Sequence, residues 1–105
     1  MTQFRAYENP NEATRQTYPY LLDIQSNLLD ELRTTVVIPL SPARIAAMAT
    51  LTKLCPTVDI DGEAFIVITQ QIAGIDRKHM GREVCDLAPQ RAEIIAAMDF
   101  LIAGI

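Results

Sequence analysis

The stretch Thr57-Val-Asp-Ile-Asp-Gly-Glu-Ala-Phe-Ile-Val-Ile-Thr69 decides the fold. Its Asp61-Gly62 pair is a strong signal for a two-residue hairpin turn, because both residues tolerate the positive φ that such turns need. The second arm is apolar from Ala64 to Ile68, and an unbroken apolar strand in an antiparallel sheet indicates that both of its faces are covered. We expect a C-terminal helix on one face and a second subunit on the other, which predicts a dimer.

Further strands are predicted on the N-terminal side of this hairpin. Residues 3–7 alternate between polar and apolar, residues 18–26 form a second candidate strand, and residues 34–40 are dominated by β-branched side chains. Residues 8–17 are polar and contain Asn9-Pro10-Asn11, which predicts a mobile loop. Residues 42–54 favour a helix by propensity, and a loop with one helical turn is the alternative.

The C-terminal part predicts a loop with a short strand over residues 73–85 and a helix over Pro89–Ile102, since proline suits the first helical turn. The apolar positions of this helix form one stripe that we expect to be buried: Ile94, Ile95, Met98, Leu101 and Ile102. The chain is therefore predicted to be a single domain, residues 1–105. Its fold class is mainly β with a C-terminal α-helix, in an SH3-like or partly open antiparallel β-barrel.

Composition excludes several classes of function. The 105 residues carry a net charge of −4, whereas proteins that hold nucleic acid by themselves usually present a basic face. The short basic segment from Arg77 to Arg82 is interpreted as a solvated loop. The N-terminus lacks a signal-peptide pattern and no apolar run approaches the length of a membrane helix, so we expect a cytoplasmic protein that makes no contact with a membrane.

The residue types that carry catalysis are sparse. His79 is the single histidine, and neither Cys55 nor Cys85 belongs to a Cys-x-x-Cys pair. Both cysteines are predicted to be reduced, and Cys55, which precedes Pro56 in an apolar stretch, is predicted to be buried and unreactive. Asp59 and Asp61 are interpreted as solvated residues of a strand. The sequence therefore predicts no enzyme activity, no cofactor and no metal site.

The end of the last helix is unusual for a helix C-terminus. Such ends favour basic residues because the backbone dipole leaves negative charge there. The last turn here contains Asp99 followed by Phe100, Leu101 and Ile102. Two interpretations stay open: these apolar residues belong to the core, or they form a tip that binds a partly basic, partly apolar protein surface.

An ordered set of short motifs resembles the CcdB family of toxins. Residues 20–30, Tyr-Leu-Leu-Asp-Ile-Gln-Ser-Asn-Leu-Leu-Asp, resemble its V-D-V-Q-S-D-I-I-D segment, and Val36–Leu40 matches its V-I-P-L strand. Glu83–Leu87 resembles its E-V-x-D-L element, and Gly104-Ile105 matches the end of its terminal helix. The resemblance covers nearly the whole chain.

This resemblance implies a toxin of a toxin–antitoxin module. Members are homodimers that bind the A subunit of DNA gyrase and trap the cleaved gyrase–DNA complex without covalent chemistry. A cognate antitoxin neutralises them, and the toxin reaches DNA only indirectly, through the antitoxin complex that represses their operon. The gyrase-binding residues of the family map onto Ser26, Leu28, Leu29, Asp99, Ile102, Ala103, Gly104 and Ile105.

Two alternatives to this implied function stay open, and the first rests on a departure from the family motif. Ala103 stands where the best-known motif of the family has Trp, and an interface Trp often contributes strongly to affinity. A homologue that binds the antitoxin without killing is therefore one alternative. The other is an endoribonuclease like the related MazF and Kid toxins, in which His79 would act as acid or base. The acidic charge and the isolation of His79 speak against it.

Overall fold

A computed structural model describes residues 2–46 and 51–104. Its strands are, in chain order, β1 (Arg5–Glu8), β2 (Tyr20–Asp23), β3 (Thr34–Pro42), β4 (Thr57–Ile60), β5 (Glu63–Val67), β6 (Ala73–Asp76) and β7 (Glu83–Asp86). The helix α1 (Arg91–Ala103) follows β7 after a 3₁₀ turn that contains Pro89.

β3 is the longest strand and connects the parts of the sheet. Its β-branched residues suit an extended backbone, and it pairs with β2 along one side. On its other side, residues 34–37 pair with β6 and residues 40–42 pair with β5. Pro39, which has no N–H to donate, falls in the gap between these two partners.

The strands are antiparallel, in the order β4-β5-β3-β2-β1-β7, with β6 attached to β3. β4 and β7 lie at the two ends of this order and do not pair with each other, so the barrel is open between them. The predicted fold class, mainly β in a partly open antiparallel barrel with a C-terminal helix, is confirmed.

The predicted hairpin is confirmed by β4 and β5. Asp61 and Gly62 have φ values of 53° and 82°, as a two-residue turn with two left-handed positions requires. β4 ends at Ile60, so Asp61 belongs to the turn and is not, as interpreted from the sequence, a strand residue like Asp59.

Residues 73–85 hold two strands, β6 and β7, where the sequence predicted one. A 3₁₀ turn, Arg77–His79, separates them. Gly81 then approaches β1 closely: its N–H donates to the carbonyl of Glu8 at 2.9 Å, and a Cβ at this position would lie 2.6 Å from the same oxygen. Any larger residue would push β7 away from β1.

The main core lies between the sheet and α1. Its largest fully buried apolar side chains come from four elements of the fold: Leu22, Ile38, Leu40, Val67 and Ile94. A smaller cluster on the opposite face of β5 contains Cys55, Ile66 and Ile68, and residues 43, 46 and 54 pack against it.

This second cluster corrects the argument for a dimer. The sequence indicated that both faces of residues 64–68 are covered, and Phe65 to Ile68 are indeed all buried. The cover on the second face comes from the same chain, through Ala43, Ala46 and Leu54, and not from a second subunit. An apolar pattern shows that a face is covered but not by what.

The helix predicted over residues 42–54 does not appear in its described parts. β3 continues through Pro42, and residues 43–45 and 52–54 form turns. One-turn hydrogen bonds run from Ala46 N to Pro42 O and from Cys55 N to Leu51 O. The alternative of a loop with helical turns fits these parts, and residues 47–50 lie outside the described residues.

The loop between β1 and β2 is organised by Asn9. The buried Asn9 amide donates to Thr14 Oγ1 at 3.0 Å and to the carbonyl of Tyr18 at 2.8 Å. The segment therefore has a defined internal structure, and its mobility stays a prediction. No helix among residues 2–46 and 51–104 has the length and apolar character needed to cross a bilayer.

Candidate functional site

The turn after β2 projects one leucine into solvent. Ser26 precedes a 3₁₀ turn, Asn27–Leu29, and its hydroxyl accepts a hydrogen bond from the N–H of Leu28 at 3.2 Å. Serine at this position satisfies an N–H that the turn leaves free. Backbone bonds from Leu29 N to Ser26 O and from Asp30 N to Asn27 O close the turn at 3.0 and 3.2 Å. Leu28 lies at its apex and is 94% exposed.

Neighbouring leucines extend this apolar surface. Leu29 and Leu32 are both about half exposed and belong to the same loop. We call Leu28, Leu29 and Leu32 the loop patch. Exposed apolar patches on small proteins commonly mark interaction sites. Leu32 was not among the predicted contact residues, although its spacing from Leu28 and Leu29 was a visible signal.

The N-terminal segment anchors the start of this loop. The N–H of Gln3 donates to Asn27 Oδ1 at 2.8 Å, and the Gln3 amide donates to the carbonyl of Ile24 at 3.0 Å. The N–H of Phe4 also donates to the carbonyl of Asp23. The loop therefore leaves the sheet from a position fixed by β1 and β2.

The end of α1 is the second exposed apolar surface. Ile94 and Ala97 are fully buried, whereas Leu101 is partly exposed and Ile102 is 83% exposed. The predicted buried stripe is thus wrong at its end, because the last turn of the helix extends beyond the core. We call Asp99, Ile102, Ala103 and Gly104, all of them exposed, the helix tip. The predicted contact residue Ile105 lies outside the described residues.

Gly104 ends the helix in a left-handed conformation. Its φ is 75°, and its N–H donates to the carbonyl of Phe100 at 2.9 Å. This is a common way to satisfy a free carbonyl at a helix end. The last turn contains no basic residue, so the carboxylate of Asp99 faces the negative end of the helix dipole without local compensation from that turn. Lys53 Nζ lies 5.1 Å from the ring centre of the half-buried Phe100.

The loop patch and the helix tip belong to different elements of the chain, the loop after β2 and the end of α1. Arg91, at the start of α1, lies over the ring of Phe4, beside the anchored end of the loop. The 13-residue helix then runs about 20 Å toward its tip. Among the described residues, no side-chain hydrogen bond or ion pair connects residues 26–32 to residues 99–104.

The predicted basic loop is not uniformly solvated. Arg82 pairs with Glu8 at 3.4 Å on the surface. Arg77 instead points toward the loop patch, where its guanidinium donates to the carbonyls of Leu29 and Leu32. Sequence analysis missed this role because a basic run does not show where each side chain turns.

The residues considered for catalysis do not assemble into a reactive site. His79 is exposed and lines an open cleft with Asn9, Tyr18 and Asp76. Among residues 2–46 and 51–104, its imidazole makes no hydrogen bond, and no three metal-binding side chains come together.

The two cysteines are free thiols, as predicted. The buried Cys55 Sγ lies 3.2 Å from the amide oxygen of Gln70, and burial raises the pKa of the Cys55 thiol above its ordinary value. Burial also raises the pKa of Cys85, with a further contribution from nearby Asp61. A raised pKa lowers the thiolate fraction, which is the opposite of what a nucleophile needs.

A protein-family model provides an independent comparison. The model described as "CcdB: CcdB protein" matches residues 3–104 of the 105-residue chain. The match spans the loop patch and the helix tip, together with every strand of the sheet. The family resemblance seen in the sequence is confirmed.

Proposed function

Since the chain belongs to the CcdB family of toxin–antitoxin toxins, we propose that it is a gyrase poison, which binds the A subunit of DNA gyrase and traps the enzyme with its DNA cleaved. In this proposal the toxin makes no covalent change to its target. It acts by surface contact through the loop patch and the helix tip. Of the residues that the resemblance implies, Leu28 and Leu29 belong to the loop patch, and Ser26 caps the turn that carries them. Asp99, Ile102, Ala103 and Gly104 form the helix tip, and Ile105 is outside the described residues.

The observation that carries this proposal is the exposure of two large aliphatic side chains. Leu28 and Ile102 are 94% and 83% exposed, and each belongs to one of the two patches. Burying one such side chain against a partner gains about 1.5–3 kcal/mol. Together they supply a substantial part of the free energy of a protein–protein contact.

The proposal includes two further partners. The chain acts as a homodimer in the cytoplasm, and a cognate antitoxin removes it from gyrase and neutralises it. DNA is contacted only through the antitoxin complex that represses the operon. Family membership is what supports these features, since the argument for a dimer from the apolar strand does not hold.

The alternative proposal, a homologue that has lost toxicity, rests on Ala103. Ala103 is exposed, so a larger side chain fits here without disturbing the core. If the helix tip contacts gyrase, Ala103→Trp adds apolar contact area and strengthens binding to the A subunit by about tenfold or more. An unchanged affinity would place residue 103 outside the contact.

The test is a DNA-cleavage assay with purified gyrase. The wild-type protein is expected to increase the amount of cleaved gyrase–DNA complex, and Leu28→Ala and Ile102→Ala are each expected to reduce this effect by about tenfold. Ile45→Ala is the matched control, because Ile45 is an exposed aliphatic residue in the turn after β3. The control variant is expected to increase the cleaved gyrase–DNA complex as much as the wild-type protein does.

If saturating wild-type protein leaves the amount of cleaved gyrase–DNA complex unchanged in an assay with active gyrase, the proposal is contradicted. Equal losses in all three variants, including Ile45→Ala, would contradict the assignment of the two patches. Thermal unfolding of each variant establishes that the fold is intact.

A further inference from the structure

Arg77 connects β6 to the loop patch. Its side chain is only 17% exposed. The guanidinium Nε donates to the carbonyl of Leu32 at 2.7 Å, and Nη2 donates to the carbonyl of Leu29 at 3.2 Å. The same Nη2 lies 3.8 Å from Asp30 Oδ1. One side chain therefore holds three acceptors of the loop that presents Leu28.

The base of this side chain is itself fixed by the sheet. β6 pairs with the start of β3, so that Asp76 lies opposite Thr34. The N–H of Arg77 then donates to the carbonyl of Arg33 at 2.9 Å. Asp76 Oδ1 accepts from the N–H of Lys78 at 3.1 Å, which fixes the 3₁₀ turn. The guanidinium reaches the loop from a rigid support.

Guanidinium chemistry suits this arrangement. Its N–H groups diverge in one plane, so Arg77 bonds two carbonyls at once, whereas a lysine ammonium is a compact point charge. Hydrogen bonds from a charged donor are also stronger than those between neutral groups. Leu29 O and Leu32 O are three residues apart, and binding both fixes the chain between them.

We infer that Arg77 is a positioning residue that holds the loop patch in the conformation its partner recognises. The inference rests on the proposed function, because it names what orders one of the two contact surfaces. Without Arg77 the loop between β2 and β3 samples more conformations, and the cost of ordering it is added to binding.

The first test compares substitutions in binding to the purified gyrase A subunit. Arg77→Gln is expected to weaken binding by about tenfold. Arg77→Lys is expected to weaken it by a similar factor, since it keeps the charge but cannot bond both carbonyls. Full affinity in Arg77→Lys would show that charge alone matters and would overturn the inference.

Arg33→Gln is the matched control. Arg33 is 85% exposed, lies beside the same loop and pairs with Asp76 at 3.5 Å, so its substitution removes the same charge and a surface ion pair. Binding is expected to change less than threefold, because exposed ion pairs contribute little. A loss as large as that of Arg77→Gln would assign the effect to net charge and overturn the inference.

A double-mutant cycle tests whether Arg77 acts through the patch. In a Leu28→Ala background, Arg77→Gln is expected to weaken binding by about threefold, less than in the wild-type background, because the most exposed of the side chains that it positions is already missing. A tenfold loss in both backgrounds would show that the two residues act independently, and would overturn the inference.

Amide hydrogen exchange tests the inference without a partner. Arg77→Gln is expected to speed exchange at least tenfold at Leu29, Asp30 and Leu32, whose N–H groups are bonded within the loop, and to leave β1 and β2 unchanged. Unchanged exchange in the loop would overturn the inference, even in a protein that poisons gyrase. If the wild type fails to bind gyrase, the proposed function fails, and the exchange measurement still decides whether Arg77 orders the loop.

Discussion

Leu28 is exposed because of what its neighbours do to the backbone. The Ser26 hydroxyl and the Asn27 side chain fix the turn from one side, and Arg77 fixes it from the other. Because these bonds hold the backbone of the turn, the side chain of Leu28 at its apex points into solvent and cannot pack against the core. The sequence suggested this residue as a contact only through the family resemblance, since leucines at positions 28, 29 and 32 also suit the buried face of a helix.

Arg77 illustrates what residue types alone do not reveal. In sequence it is part of a short basic run, which usually lies in solvent. Its inward orientation depends on the pairing of β6 with β3, and that pairing joins residues about 40 positions apart. A long-range register of this kind has no signal in the local pattern.

A buried carboxylate near the loop provides a test at the residue scale. Asp23 is almost fully buried, and its Oδ1 accepts from the Thr35 hydroxyl at 2.8 Å and from the N–H of Gln25 at 3.2 Å. Thr35→Val removes one donor and leaves the carboxylate less satisfied. We expect the free energy of unfolding to fall by about 1–3 kcal/mol, measured by urea denaturation.

Thr34→Val is the control for this substitution. Thr34 is the exposed neighbour in the same strand, so the same chemical change there is expected to alter stability by less than about 0.5 kcal/mol. Equal effects at the two positions would show that the bond to Asp23 is not what stabilises this strand.

At the scale of elements, α1 combines a core-facing start with an exposed end. Its periodic apolar pattern predicted the helix correctly, and Ile94, Ile95 and Met98 do contact the core. The pattern failed at Leu101 and Ile102, because periodicity gives the face of a helix but not the point where the supporting sheet stops. The unusual composition of the last turn was the available signal for an exposed tip.

The dipole of α1 predicts opposite effects on stability for carboxylates near its two ends. Glu93 lies in the first turn, where a negative charge is favourable, and Asp99 lies four residues before the last helical residue, toward the end where a negative charge is unfavourable. Asp99→Asn is expected to raise the free energy of unfolding by about 0.3–1 kcal/mol, and Glu93→Gln to lower it by a similar amount. Thermal or urea unfolding at low ionic strength measures both.

Asp99→Asn is also expected to weaken binding to gyrase A, since Asp99 belongs to the helix tip. Stabilisation together with weaker binding would mean that the helix end is suited to its partner at some cost in stability. A more stable variant with unchanged binding would remove Asp99 from the proposed contact.

For the whole molecule, the sequence predicted the architecture correctly but not which part of the chain covers the second face of β5. The Asp61-Gly62 turn, the β-branched run of β3 and the terminal helix each have a local signature, and the structure contains all three. The cover over Ile66 and Ile68 has none, because it comes from Ala43, Ala46 and Leu54, which local propensity assigned to a helix. Tertiary packing overrode that propensity.

The pKa values of two tyrosines and two cysteines in the barrel predict that the protein becomes less stable at alkaline pH. Burial raises the pKa of Tyr7, Tyr20, Cys55 and Cys85 above their ordinary values of 10.0 for tyrosine and 9.0 for cysteine. The folded state therefore holds these protons more tightly than the unfolded state does. Their contribution to stability is complete below about pH 9 and is lost as the pH rises further.

We expect the midpoint of urea unfolding to decrease between pH 9 and pH 11, under reducing conditions that exclude disulfides. In Cys55→Ala and Cys85→Ala variants the decrease near pH 9 should be smaller, because one of the buried thiols is missing. A midpoint independent of pH over this range would contradict the assignment.

The most direct measurement for the central claim is a footprint of the complex by amide hydrogen exchange. In our proposal, this chain acts on gyrase by contact through two exposed apolar surfaces, the loop patch and the helix tip. With purified gyrase A subunit present, we predict slower exchange in residues 26–32 and in residues 99–104, and no change in β4 and β5. Binding that protects neither segment, or protects the β4–β5 hairpin instead, would contradict the account.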